Sequence, residues 1–498
     1  MSDHDTTNQT NAEYECKHAT YVRARDRSKN DLLVVKENTH HPDGTVEPSL
    51  RLLENYKRQF YVAHEGHRQY KQKKDWEWKR RLIRHTCTQA ELPARVAHAL
   101  EIPYRGQPLR VLGRSPYLYG TDINTTTLVK HKYQERFPEA VTPNSVAVLD
   151  IETDVVHGHQ HILSVSVTFK NRAFLAVTEA FAADIPEMEK AVQQAFTEYL
   201  GQYQTERQIE LEVLRCASPG KACYEAIQRA HQWKPDFLSI WNMNFDIPKI
   251  IDALEKEHYD LGDVFSDPSV PPQYRTAYYK EGRPYTISAS GVKTTFSPSQ
   301  RWHSMVAPAS FYVIDSMCVY RQLRLAQQQE RSYSLDALSE KHLGVRKLKF
   351  EDRVHVSKLG LSWHRHMQTL EKVPYLIYNL FDCISVELFD EKLKDLSLSI
   401  STQVGFSDYQ IFNSQPKRLV DKLHFYYDRL DKVIGCRSDK IYNEKLDSKT
   451  VSRKGWIITL PPGLFVGKVA DVIENNPHQK SKVSTHVSDK QRFTLMSL

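Results

Sequence analysis

The chain has 498 residues, 40% of them hydrophobic and 26% charged, with a net charge of +7. This is the composition of a soluble globular protein with room for two to four domains, and it excludes a disordered or fibrous one. No stretch approaches the roughly 20 apolar residues of a membrane helix. The polar start Met1-Ser2-Asp3-His4-Asp5 lacks a signal-peptide core. Seven scattered cysteines without a Cys-x-x-Cys argue for reduced thiols in a cytoplasm, against a disulfide scaffold and against a structural zinc site.

Residues 1–15 read as a disordered tail rich in Asp, Thr and Asn. From 16 to 143 the pattern is mixed α+β and is taken as an N-terminal domain. Tyr21–Arg25 and Asp31–Val35 look like short strands, and Gln89–Leu100 reads as a helix. Between Arg51 and His85 there are 11 Lys+Arg against 4 Asp+Glu, a local balance of +7, interleaved with Tyr56, Phe60, Tyr61, Tyr70, Trp76 and Trp78. Cations mixed with rings suit a nucleic-acid surface, with Lys71, Lys73 and Lys74 as candidate phosphate contacts. A solvated face whose rings point into the core is the alternative.

The next segment, 144–400, alternates strands and helices and is expected to form an α/β layer fold. Val146-Ala147-Val148-Leu149 reads as a strand buried on both faces, ending in Asp150-Ile151-Glu152. Side chains alternate along a strand, so Asp150 and Glu152 share one side, where a divalent cation would relieve their repulsion. Solvated strand-end acids are the plainer reading. Ile162–Phe169 and Ala173–Val177 look like a hairpin, Glu187–Leu200 and the stretch from Pro219 to Trp233 like helices, and Phe237–Trp241 like another apolar strand. That strand runs into Asn242-Met243-Asn244-Phe245-Asp246, with Pro248 starting a helix over Ile247–Leu254. Tyr285–Phe296 fits a β-hairpin turning at Ser290-Gly291, Phe311–Ile314 a strand, Leu335–Leu343 a short helix and Val373–Leu396 a long one.

Asp382 stands four residues after Tyr378 in the long helix, so the two share a face among apolar neighbours. Asp150, Glu152, Asp246 and Asp382 with Tyr378 are the parts of a two-metal phosphodiester hydrolysis site. Asp150, Glu152 and Asp382 would hold one Mg²⁺ (or Mn²⁺). Asp150 would bridge to a second ion, with Asp246 nearby, and Tyr378 would orient the attacking water. Asp315 is left out, since helix capping explains it. His40, His41, His157, His159 and His161 read as loop histidines without metal-site spacing. Gly463–Lys468 imitates a phosphate loop but is one residue short between its glycines.

Asp150-Ile151-Glu152, Asn242–Asp246 and Tyr378-Asn379-Leu380-Phe381-Asp382 resemble the three exonuclease motifs of family B DNA polymerases, in the family's order and with its tyrosine variant of the third motif. Ser332–Leu338 and Pro461–Val466 are similar to segments of tailed-bacteriophage replicative polymerases. The resemblance implies a ribonuclease H-like 3′–5′ exonuclease domain over 144–400 that proofreads in DNA replication. It further implies DNA contacts at Asn242 and Phe245, and a strand-separating hairpin at 285–296. It also implies a palm carrying Asp-x-x-Ser-Leu-Tyr-Pro and Tyr-x-Asp-Thr-Asp motifs, and neither is complete here. Thr494 or Asp489 marks at most a remnant of the first. The expected reading is therefore the exonuclease part of a split or truncated polymerase. Residues 401–498 would form a helical and extended linker towards a second chain bearing palm, fingers and thumb. Leu419, Leu423, Tyr426, Tyr427 and Leu430 would form its docking face. A self-sufficient 3′–5′ exonuclease and a non-catalytic DNA-binding subunit are the competing readings.

Overall fold

The structure is a computed structural model and describes residues 12–26, 30–288, 290–351, 353–354, 360–400 and 409–436, with the backbone of 484–488 and 491–495. The chain divides into two units, Met1–Ser438 and Asp439–Leu498. In the second, β-strands Ser484–Ser488 and Gln491–Leu495 pair as an antiparallel hairpin. The stretches Pro461–Val466 and Gly463–Lys468 and the residue Asp489 lie outside the described residues.

The first unit opens with an antiparallel sheet of β1 (Glu13–Arg23), β2 (Asp31–His40) and β3 (Val46–Glu54). Strand structure is therefore present within the last residues of the expected tail. Glu13 pairs with His40, and the Glu15 carboxylate accepts from the Thr142 hydroxyl at 2.6 Å. The basic segment is mainly β-structure: β4 (Arg58–Ala63), β5 (Trp76–Trp78) and β6 (Leu82–Cys87). A helix, α1, covers Leu92–Ala99.

The second part of the unit is organised by a mixed eight-stranded sheet. Its strands are β7 (Val146–Thr153), β8 (Ile162–Phe169), β9 (Arg172–Thr178), β10 (Glu210–Cys216), β11 (Phe237–Ile240), β12 (Tyr278–Lys280), β13 (Ser304–Val306) and β14 (Tyr312–Asp315). They lie in the order β10-β9-β8-β7-β11-β14-β13-β12. β11 runs parallel to both β7 and β14, and β9 parallel to β10, while β8 is antiparallel to β7 and β9. A separate small hairpin joins Tyr285–Ile287 to Lys293–Thr295, with Gly291 at φ 81° in its turn, a conformation costly for a side-chain-bearing residue.

Two helix layers cover the sheet. On one side Ala147, Leu149 and Ile151 pack with α2 (Pro219–Trp233) and α3 (Met243–Lys256), through Ala226, Ala230, Ile247 and Ile250. On the other side α4 (Leu335–Leu343), α5 (Leu361–Leu370) and α6 (Lys372–Leu393) meet the sheet, and Val148 packs with Leu338, Cys383 and Val386. The strand's alternation thus has one face that is apolar from Ala147 to Ile151. The other changes from Val148 to Asp150 and Glu152 as it leaves the core.

Residues 409–436 return to the N-terminal region, so the expected linker is divided. α7 (Gln415–Arg429) leads to β15 (Lys432–Ile434), which pairs antiparallel with β5. α7 buries Asp421, His424 and Phe425 and exposes Leu419, Leu423 and Tyr426, as well as Leu430 just beyond its end. Tyr427 stacks on Trp76 with ring centroids 6.2 Å apart. Among the described residues no helix is long and apolar enough to cross a membrane.

Candidate metal centre and nucleic-acid cleft

The end of β7 delivers Asp150 and Glu152 towards α6, which carries Asp382. Ligand atoms of these three carboxylates lie within 4.8 Å of one another. They form the floor of a cavity of about 910 Å³ that Asp246 and Tyr378 also line. Asp246 is buried in the first turn of α3 rather than at a strand end, and it stands outside the 4.8 Å group. The helix begins earlier than expected, at Met243. Met243 N donates to Asp315 Oδ2 at 3.0 Å, while Cys318 N donates to Asp315 Oδ1 at 2.8 Å. Asp315 is thus a cap for two helix starts, and Pro248 lies inside α3.

Each acid of the group has a dedicated partner, on α6 for Asp150 and Glu152 and in the segment after α4 for Asp382. Asn379 Nδ2 donates to Asp150 Oδ2 at 2.7 Å, and the Ser164 hydroxyl holds Asn379 Oδ1 at 3.0 Å. Ser164 and Ser166 are fully buried, and their small side chains let α6 lie close to β8. Tyr375 donates its hydroxyl hydrogen to Glu152. Lys347 donates to Asp382 and, at 2.9 Å, to the Tyr378 hydroxyl. Lys347 is placed by its backbone, whose N–H donates to Asp336 Oδ1 on α4 at 2.9 Å. Sequence reasoning missed Lys347, Tyr375 and Asn379.

A cation fits this donor set. Asp382 Oδ1 is buried without a hydrogen-bond partner, which is costly for a carboxylate and is relieved by a metal. The group is hard oxygen, as Mg²⁺ requires. Burial, then the charge of Asp382, pushes Asp150 up to about 7. Burial and Asp150 hold Glu152 well above the usual carboxylate range, and burial with Asp150 and Glu152 does the same to Asp246. Burial would strip Lys347 of its proton, but Asp382, Tyr378 and Asp150 outweigh it and keep the amine charged.

These shifts have a sign. A carboxyl whose pKa rises on folding from 3.8 to about 7 stabilises the fold below its unfolded value, and that contribution is lost as pH rises through about 7. Asp315 and Glu387, both pushed by burial to about 7, add in the same direction. Mg²⁺, which binds the ionised acids, should therefore raise the melting temperature more at about pH 8 than at about pH 5.5. Thermal melts at both pH values with and without Mg²⁺ check this. No Mg²⁺ effect at high pH would mean the acids are not a cation site.

No protein-family model matches the chain, and no curated protein matches it.

The cavity walls carry cations and aromatic rings as well as acids. Arg331, Arg346 and Lys349 line it together with Trp241, Asn242 and Phe245. Phe245 is 43% exposed, and Lys249 Nζ lies 4.6 Å from its ring centre. Asn242 Oδ1 is buried without a partner. Lys71, Lys73 and Lys74 do not line this cavity. Lys73 donates to the Cys436 carbonyl. Lys74 pairs with Glu77 at 2.6 Å and sits 3.9 Å from the Tyr70 ring centre. Of the three, Lys71 is exposed and the other two are half-buried.

Proposed function

We propose that this chain is the exonuclease-bearing part of a family B DNA polymerase and removes nucleotides from DNA 3′ ends. The observation that carries the reading is the group Asp150, Glu152 and Asp382, with Asp246 and Tyr378, on one cavity floor. The strand order around β7, with β8 antiparallel and β11 and β14 parallel, supports a ribonuclease H-like domain over 144–400, preceded by an N-terminal domain over 16–143.

Two Mg²⁺ (or Mn²⁺) ions, when bound, would supply Lewis-acid polarisation of the scissile phosphate and neutralise charge on the leaving 3′ oxygen. Asp150, Glu152 and Asp382 would hold one, and Asp150 with Asp246 the other. Tyr378 positions the attacking water. Its oxygen accepts from Lys347, which can only donate, so its own hydrogen is left to direct towards Asp382 or the water. Phe245 offers a stacking face to a terminal base, and Arg331, Arg346 and Lys349 offer cations to the phosphates behind it. A polymerase subunit is the proposed partner, supported by the exposed stripe Leu419, Leu423, Tyr426 and Leu430.

The test is an end-labelled single-stranded DNA with Mg²⁺. Mononucleotides should leave from the 3′ end, EDTA should stop their release, and circular single strands should survive. Cleavage of circles would replace the exonuclease reading with an endonuclease one. The contribution of the basic segment is now testable at one residue. Lys71→Glu should lower the slope of log affinity against log salt by about one. An unchanged slope would remove the segment from the DNA track.

A further inference from the structure

Tyr375 stands one helical turn before Tyr378 on α6, and the two rings are parallel within 3° with centroids 5.9 Å apart. Tyr378 lies in the acid group's own motif; Tyr375 has no place in the chemistry described above. It is nevertheless 1% exposed, and its hydroxyl makes three hydrogen bonds. A hydroxyl has one hydrogen and two lone pairs. The hydrogen goes to Glu152 Oε2. Both remaining contacts must then be donors: Gln368 Nε2 at 3.0 Å and His364 Nδ1 at 2.9 Å. Every lone pair and hydrogen of the hydroxyl is used, which fixes its orientation.

Gln368 anchors the arrangement to the strand end. Its Nε2 also donates to the Thr153 carbonyl at 2.9 Å, and its Oε1 accepts from Val155 N at 3.0 Å. The bonds form a closed circuit. They run from the Glu152 carboxylate through Tyr375 and Gln368 to the backbone of Thr153, the residue next to Glu152. A glutamate has three side-chain torsions to fix, one more than the aspartates beside it. It is the acid of the group that most needs an outside constraint to present a ligand oxygen.

We propose that Tyr375 is a positioning residue that fixes Glu152 as a metal ligand, acting through the circuit with Gln368. This rests on the proposed metal-dependent hydrolysis and deepens it. It differs from the role of Tyr378, which acts on water and leaves the ligands in place. Without the Tyr375 hydroxyl the site therefore binds its cation more weakly, whereas without the Tyr378 hydroxyl it binds normally and turns over slowly.

Mn²⁺ binding followed by electron paramagnetic resonance, which needs no activity, separates these cases. Tyr375→Phe keeps the ring stack and should weaken Mn²⁺ binding by about tenfold or more, with high Mn²⁺ restoring most of the hydrolysis rate. Tyr378→Phe should bind Mn²⁺ normally and stay slow at any Mn²⁺ concentration. Melting temperatures verify that both variants are folded. Gln368→Met, which cuts the second link of the circuit, should shift Mn²⁺ affinity in the same direction as Tyr375→Phe and serves if that variant does not fold. Unchanged Mn²⁺ affinity in folded Tyr375→Phe, or a rate that high Mn²⁺ does not restore, overturns the positioning role alone, provided the unsubstituted chain binds Mn²⁺ and hydrolyses DNA. An unsubstituted chain that does neither overturns the functional reading and this role with it.

Discussion

Asp150→Ala combined with Glu152→Ala should abolish hydrolysis while the metal-free protein melts at no lower temperature at about pH 8. The two losses of ligand remove several kcal/mol of Lewis-acid stabilisation, and each 1.36 kcal/mol is about a factor of ten, so the rate should fall roughly 10⁴-fold or more. The stability half of the result follows from the same carboxylates. Asp150 is pushed up to about 7, and Glu152 and Asp246 are held well above the carboxylate range by burial and by one another. At about pH 8 Asp150 is ionised at a cost to the fold, since each unit of displacement is worth about 1.4 kcal/mol, and the upward shifts of Glu152 and Asp246 act in the same direction. Deleting two of these acids relieves that cost. The truncations open onto a polar-lined cavity of about 910 Å³ rather than a closed apolar core, so water can replace the partners that Asn379 and Tyr375 lose. At about pH 5.5, where the acids carry protons, the gain should vanish. A labelled oligonucleotide and paired thermal melts measure both halves. Normal degradation by the double variant would remove the site assignment.

The sequence makes the first half of this site readable because its logic is local. Alternation alone places Asp150 and Glu152 on the face that Val148 occupies one step earlier, and helical spacing alone puts Asp382 beside Tyr378. What was not readable depends on distant partners. Asp246 looks like a strand-end acid until Asp315, 69 residues later, caps Met243 N and starts the helix early. Lys347 sits in Arg346-Lys347-Leu348-Lys349, which reads as a solvated charge run. Its backbone N–H is held by Asp336, and its amine, donating to Asp382 and Tyr378, shows that one of the three cations turns inward. The basic segment gives the opposite lesson. Its charges suggest an open surface, yet Arg58 is buried and donates to the Ile123 carbonyl at 2.7 Å and the Gly120 carbonyl at 3.0 Å. α7 shows why amphipathic spacing does not reveal which face is covered. Its apolar stripe is exposed, and the face against the protein carries Asp421, paired with Lys417 at 2.6 Å, beside His424 and Phe425.

Lys347→Met should slow hydrolysis at saturating metal by about 10²–10³-fold and at the same time tighten cation binding. The amine is the cation that the fold itself places among the acids, donating to Asp382 and to the Tyr378 hydroxyl. Its charge opposes the arrival of a divalent ion, so methionine, similar in length and neutral, leaves a more negative site. Binding strength and rate therefore move in opposite directions, which simple damage to the site cannot produce. The slower rate has its own cause. Lys347 is the donor that fixes the Tyr378 oxygen, and removing one preorganised donor from a closed site costs about 2.7–4 kcal/mol of barrier. Stability supplies a further sign. At about pH 8 the metal-free variant leaves Asp150, Glu152, Asp246 and Asp382 without their amine, so it should melt lower than the unsubstituted chain, and Mg²⁺ should restore more of its stability. This is the reverse of the shift expected for the Asp150 and Glu152 double variant, although both changes slow catalysis. Calorimetric Mg²⁺ titration, single-turnover hydrolysis and thermal melts of the two variants side by side decide it. An unchanged rate at saturating metal would reduce Lys347 to a counter-ion for the empty acids.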